Sequence, residues 1–115
     1  LAASALPATG AAPAPRNPTT SPQDKDPDVS ERTIADLQAY LQSSQGSSRR
    51  LCQLYLDRIA ALNAKGPAIN AVIELNPDAL TIADTLDKER KAGKLRGPLH
   101  GIPVLLKDNI DTGDK

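Results

Sequence analysis

The chain has 115 residues, with 14 basic and 14 acidic side chains, one cysteine, one histidine, two tyrosines and no Phe, Trp or Met. So even a charge balance gives no pull toward nucleic acid or anionic lipid, and no apolar run approaches the length of a membrane span. A lone cysteine excludes an internal disulfide and a thiolate cluster, a single histidine argues against an imidazole metal site, and no phosphate loop or dinucleotide fingerprint is present, so neither metal nor cofactor is expected.

Residues 1–29 hold six of the 10 prolines and almost no large apolar side chains, which reads as an extended, disordered tail. Its opening, Leu1-Ala2-Ala3-Ser4-Ala5-Leu6, resembles the end of a signal peptide, with small residues spaced as at a cleavage site. A periplasmic or secreted location is the expectation from this feature, with a cytoplasmic one as the alternative. Residues 30–115 are left to fold. A unit of that size, with a core of Leu, Ile, Val and Ala alone, is marginal by itself.

The first helix is expected over 34–44. Thr33 is its N-cap, Asp36 sits at the third helical position, and Ile34, Leu37 and Leu41 share one face. After Gly46, Ser47 or Ser48 caps a second helix over 49–64, with Leu51, Leu54, Tyr55, Ile59 and Leu62 as its stripe and Gly66-Pro67 as its stop. The two form a helical hairpin. Residues 71–75, Ala-Val-Ile-Glu-Leu, suit a half-exposed strand. Asn76-Pro77 starts a third helix that runs to about Ala92. Ile82, Ala83 and Leu86 are expected inside, Asp84–Lys88 and Asp87–Lys91 are expected to pair outside, and Gly93 is its stop. A second strand over 104–107 completes a strand–helix–strand unit with a right-handed crossover. Two strands do not make a stable sheet, so residues 30–115 read as the beginning of a larger α/β fold.

The residue most suited to chemistry is Lys107. It ends the apolar run Val104-Leu105-Leu106, at the carboxyl end of a strand, where functional groups collect in open α/β sheets. An ammonium buried behind that run is able to give up its proton and act as a base. The plain alternative is a lysine that marks where the strand emerges into water. Asp108, Asn109 and Asp111 either brace the loop or bond the ammonium, and are too few for an oxygen-ligand metal site. His100 in its turn reads first as a structural hydrogen-bonder. Cys52 reads as a packed thiol, although Arg49 and Arg50 nearby would favour the thiolate.

The stretch Gly97-Pro98-Leu99-His100-Gly101-Ile102-Pro103-Val104-Leu105-Leu106-Lys107-Asp108-Asn109-Ile110 closely resembles the catalytic-lysine segment of the amidase signature family. The resemblance continues upstream through residues 71–80 and more loosely to Thr33, and residues 71–80 look most like bacterial peptide amidases. It implies the N-terminal portion of the amidase signature fold, a mixed central sheet covered by helices. It also implies a Ser–cisSer–Lys triad in which Lys107 is the base, a bridging serine relays the proton, and a serine nucleophile attacks the amide carbonyl. The implied substrate is a small-molecule or peptide carboxamide, hydrolysed to acid and ammonia, and the likeness of residues 71–80 to peptide amidases points to a peptide C-terminal amide. The family's two serines follow this motif at a distance. Ser43, Ser44, Ser47 and Ser48 lie in the helix connection and match neither, so the 115 residues are expected to be an inactive N-terminal piece of the enzyme. Two readings compete with this one: a non-catalytic packing or dimerisation module with a structural Lys107, and a secreted ligand-binding domain on a proline-rich tether.

Overall fold

The computed structural model describes residues 26–113. Three helices organise them: α1 (Ile34–Gln42), α2 (Ser48–Leu62) and α3 (Ala79–Lys91). The signal-peptide-like opening and the tail as far as residue 25 lie outside the described residues. The last four tail residues do not behave as tail. Asp26 accepts a bidentate pair from Arg50 on α2, and Val29 packs against the helical core. Asp26 and Val29, expected within the tail, are thus held against the helices.

The first-turn amide donors of α1 and α2 are met in different ways. In α1 the Asp36 N–H donates to Thr33 Oγ1 at 3.2 Å, and the Thr33 N–H donates to Asp36 Oδ2 at 3.0 Å, a complete reciprocal cap. In α2 the Ser47 hydroxyl accepts from the Arg50 N–H at 3.2 Å, but the third helical position is Arg50, which has no oxygen to return. The missing acceptor comes from α3. Asp87 Oδ1 accepts the Ser48 N–H at 2.7 Å, and Asp87 Oδ2 accepts the Ser47 hydroxyl at 2.8 Å and the Arg49 N–H at 3.1 Å. A carboxylate on a helix N-terminus is also favoured by the helix dipole.

This cap corrects the expected surface pairs on α3. Asp87 points into α2 instead of meeting Lys91, and Asp84 pairs with Arg49 on α2 at 2.5 Å. The bonds to α2 set the rotation of α3 about its axis. They bring Ala83 and Asp87, one turn apart, to the inside and leave Ile82 45% exposed. At its start, α3 gives up the expected first turn. Asn76 Oδ1 accepts the Asp78 N–H at 2.8 Å in a local turn, and the helix begins at Ala79. At its end, Gly93 takes φ 72°, the Gly93 N–H bonds the Arg90 carbonyl at 2.9 Å, and the Lys94 N–H bonds the Glu89 carbonyl at 2.8 Å. A positive φ closes this motif, which is why glycine is there.

The core is small. Leu37 and Leu41 of α1 meet Leu51 of α2, which is fully buried, and Val29, Tyr40, Tyr55 and Ile102 pack around them. Burying one such leucine stabilises the fold by roughly 2–3 kcal/mol. Cys52 on α2 and Ala83 on α3 are also buried, and those two helices pack together.

The two expected strands are not formed among the described residues. Residues 71–75 and 104–107 run as single non-helical segments. Ile73 is 80% exposed and Leu105 73% exposed. A strand exists through its ladder, and among the described residues neither segment is paired with a neighbouring backbone. One substitute exists at Val72. The Asn63 side chain donates from Nδ2 to the Val72 carbonyl and accepts the Val72 N–H on Oδ1, both at 2.8 Å, as a strand neighbour would.

Candidate active site

The segment that carries Lys107 enters from α3 through a hydrogen-bonded turn. Arg96 is held first: its guanidinium forms a two-point pair with Glu89, with Nε at 2.7 Å from Oε2 and Nη2 at 2.5 Å from Oε1. The Arg96 hydrogen bond and charge hold the Glu89 carboxyl below the usual carboxylate range. The Arg96 N–H then donates to His100 Nδ1 at 3.2 Å, and His100 Nε2 lies 2.8 Å from the Leu86 carbonyl. A backbone N–H only donates and a carbonyl only accepts. These partners therefore assign the ring as the neutral tautomer with its hydrogen on Nε2. The His100 carbonyl accepts from Arg90 Nη2 at 2.6 Å. His100 is 7% exposed with both ring nitrogens engaged, which fits the structural reading made from the sequence.

Gly101 follows at φ 82°, packed against the start of α2. A methyl group there would lie 2.0 Å from Ser48 Oγ and 3.1 Å from Arg90 Nη2. Glycine is required twice over, by the backbone angle and by the contact. Ile102 then joins the leucine core, Pro103 is half-buried, and from Val104 onward every described residue is exposed.

Lys107 is exposed, and so are Val104, Leu105 and Leu106 before it. The burial expected behind those three side chains is not supplied by the described residues. The Ile110 N–H bonds the Lys107 carbonyl at 2.9 Å and turns the chain, with Asp108, Asn109 and Asp111 exposed around the turn. Among the described residues no group of three His, Cys, Asp or Glu is placed to hold a metal ion, and no helix is long and apolar enough to cross a membrane. Ser43 donates to the Tyr40 carbonyl at 2.7 Å, and Ser47 and Ser48 belong to the start of α2, so these serines serve the helix connection. Cys52 is buried, and burial pushes its thiol up while Arg49 only partly offsets this. The expected thiolate-favouring effect of the arginines is therefore outweighed.

Two functional contributors were not read from the sequence. Asp87 is the tertiary cap of α2, and Arg90 is the tie to the His100 carbonyl. A signal for the first was present: Ser47 begins a helix whose third position is a cation, so its donors needed an acceptor from elsewhere. Arg90 carries no comparable mark.

The profile of the amidase family matches residues 50–115, which take in most of α2, all of α3 and the Lys107 segment. The chain belongs to the amidase family. A putative amidase of Schizosaccharomyces pombe is 46% identical over 87 residues, covering 76% of this chain and 14% of that protein. A putative amidase of Arthroderma benhamiae is 59% identical over 63 residues, covering 55% of this chain and 10% of that protein. Among solved structures, the peptide amidase of Stenotrophomonas maltophilia superposes with a TM-score of 0.70 at 57% identity, over 73% of this chain and 17% of that one. The likeness supports an α/β fold of the amidase signature type. The chain spans between 10 and 17% of the length of these amidases.

Proposed function

We propose that these residues form the N-terminal part of an amide hydrolase that uses a Ser–cisSer–Lys mechanism, with Lys107 as its base. The reading rests on one observation above all: the family match over residues 50–115 runs through the segment that ends in Lys107. Lys107 would take a proton through a bridging serine from a serine nucleophile. The nucleophile attacks the carboxamide carbonyl, an acyl-enzyme forms as ammonia or an amine leaves, and water releases the acid. Both serines, and the donors that stabilise the oxyanion, would come from the part of the protein that corresponds to the rest of its relatives. That part would also pair residues 71–75 and 104–107 into a sheet and cover Ile73, Val104, Leu105 and Leu106. Their exposure supports this, since contiguous bare apolar surface marks an unfilled interface. Peptide C-terminal amides are the substrates of first choice, on the 57% identity to a peptide amidase.

The test is Lys107→Ala and Lys107→Arg in the full-length polypeptide, with ammonia release from a peptide amide as the readout. Both variants should lose roughly three orders of magnitude in turnover, because a guanidinium stays protonated and cannot act as base. Unchanged circular dichroism would show that the fold is kept. Turnover near that of the unsubstituted enzyme removes Lys107 from the mechanism.

A further inference from the structure

We infer that His100 is a positioning residue for Lys107. The inference rests on the assignment of Lys107 as the base and extends it. Three observations point to it. His100 is the last residue before the Lys107 segment that is bonded to four separate places: through Nε2 to Leu86 and through its carbonyl to Arg90, both on α3, through Nδ1 to the Arg96 amide beyond the end of that helix, and through its own N–H to the Gly97 carbonyl. Gly101, the next residue, is wedged against Ser48 at the start of α2, where Asp87 already joins α2 to α3. Beyond Ile102 and Pro103 the chain is exposed as far as Lys107. The direction and register of the Lys107 segment are thus fixed upstream, at a junction of two helices, with His100 as its bonding centre.

The imidazole suits this task because it offers two directed polar groups at a fixed separation on a rigid ring. One nitrogen accepts from the Arg96 N–H while the other donates to the Leu86 carbonyl, so the ring spans the gap between the turn and α3. An apolar side chain of similar size would leave both backbone groups unpaired in a buried place and free the turn to shift. A displacement of about 1 Å at a reacting group costs on the order of a hundredfold in rate. The ring itself touches no substrate, since both nitrogens are occupied and the side chain is buried.

The experiment compares His100→Leu and His100→Gln with Lys107→Ala in the full-length polypeptide. It measures kcat, KM and the pH–rate profile well below the melting temperature, with the folded fraction fixed by circular dichroism. His100→Leu should lower kcat per folded molecule by 10- to 100-fold, change KM by less than twofold, and shift the limb of the profile that reports the Lys107 proton. His100→Gln keeps a donor for the Leu86 carbonyl and should recover much of that loss. If His100→Leu does not fold, the Gln variant decides alone, by a kcat loss of several-fold at a matched folded fraction. A lower melting temperature with kcat and pH profile unchanged per folded molecule overturns the inference, since it shows a purely structural histidine. Full activity in Lys107→Ala overturns the base assignment and the inference with it. Loss in Lys107→Ala beside a normal His100→Leu overturns the inference alone.

Discussion

Two halves of this chain answer to different partners. The junction of α1, α2, α3 and the His100–Gly101 turn is closed: Leu51 is fully buried, the starts of α1 and α2 and the end of α3 are capped, and buried His100 has both ring nitrogens bonded. Residues 71–75 and 104–110 are open, with Ile73, Val104, Leu105, Leu106 and Ile110 all exposed. Helices satisfy their backbone within one segment, whereas strands need another segment beside them. The same stretch of sequence therefore completes its helical frame from its own residues and leaves residues 71–75 and 104–107 without a paired backbone among the described residues.

Substitutions at the closed half should have the largest effects. Leu51→Ala removes the most buried side chain and should cost about 3 kcal/mol, enough to abolish the helical circular dichroism of the isolated chain. Retained helicity would mean that the leucine cluster is not what holds α1 to α2. Gly101→Ala forces a methyl group onto Ser48 at a positive φ and should cost about 2 kcal/mol, read as a lower denaturation midpoint.

Asp87→Ala removes the cap that α3 lends to α2 and should cost about 1–2 kcal/mol at neutral pH. The cap also has a pH signature. Burial raises the Asp87 carboxyl, but the bonds from Arg49, Ser48 and Ser47 outweigh it and the net shift is below the ordinary value of 3.8. A carboxyl lowered in the folded state contributes stability above 3.8 and loses it as the pH falls through the lower, folded value. Denaturation midpoints of the two proteins should therefore differ at pH 7 and converge as the pH falls below 3.8. A constant gap would mean that Asp87 acts through packing instead of charge. The smallest effect is expected in the open half. Ile73→Ser or Leu105→Ser in the isolated chain should change stability by no more than about 0.5 kcal/mol. A larger loss would show that these side chains already have a partner.

What could be read in the sequence follows the same division. The cap Thr33–Asp36, the Ser47 start of α2 and the Gly93 stop of α3 are local signals, and each was legible because both partners lie within a few residues. Asp87 was misread as a surface pair with Lys91, because spacing along one helix says nothing about a partner 39 residues away in the chain. Strands were expected over 71–75 and 104–107 from residue type, and neither is formed among the described residues, because residue type does not supply a neighbouring backbone. Lys107 was singled out by its place after an apolar run and by the motif around it. Its surroundings were not legible, since the three apolar residues before it are exposed among the described residues.

The cap that Asp87 places on α2 also orders events in time. During synthesis α1 emerges with its own cap complete, since Thr33 and Asp36 leave together. Helix α2 follows with only Ser47 at its start, and its remaining amide donors stay with water until Asp87 has been made, 39 residues after Ser48. The second helix is thus finished by the third, and the Gly101 turn that rests on Ser48 is made later still. The residues that hold the turn before Lys107, on α2, α3 and at Arg96, all precede that segment in the chain.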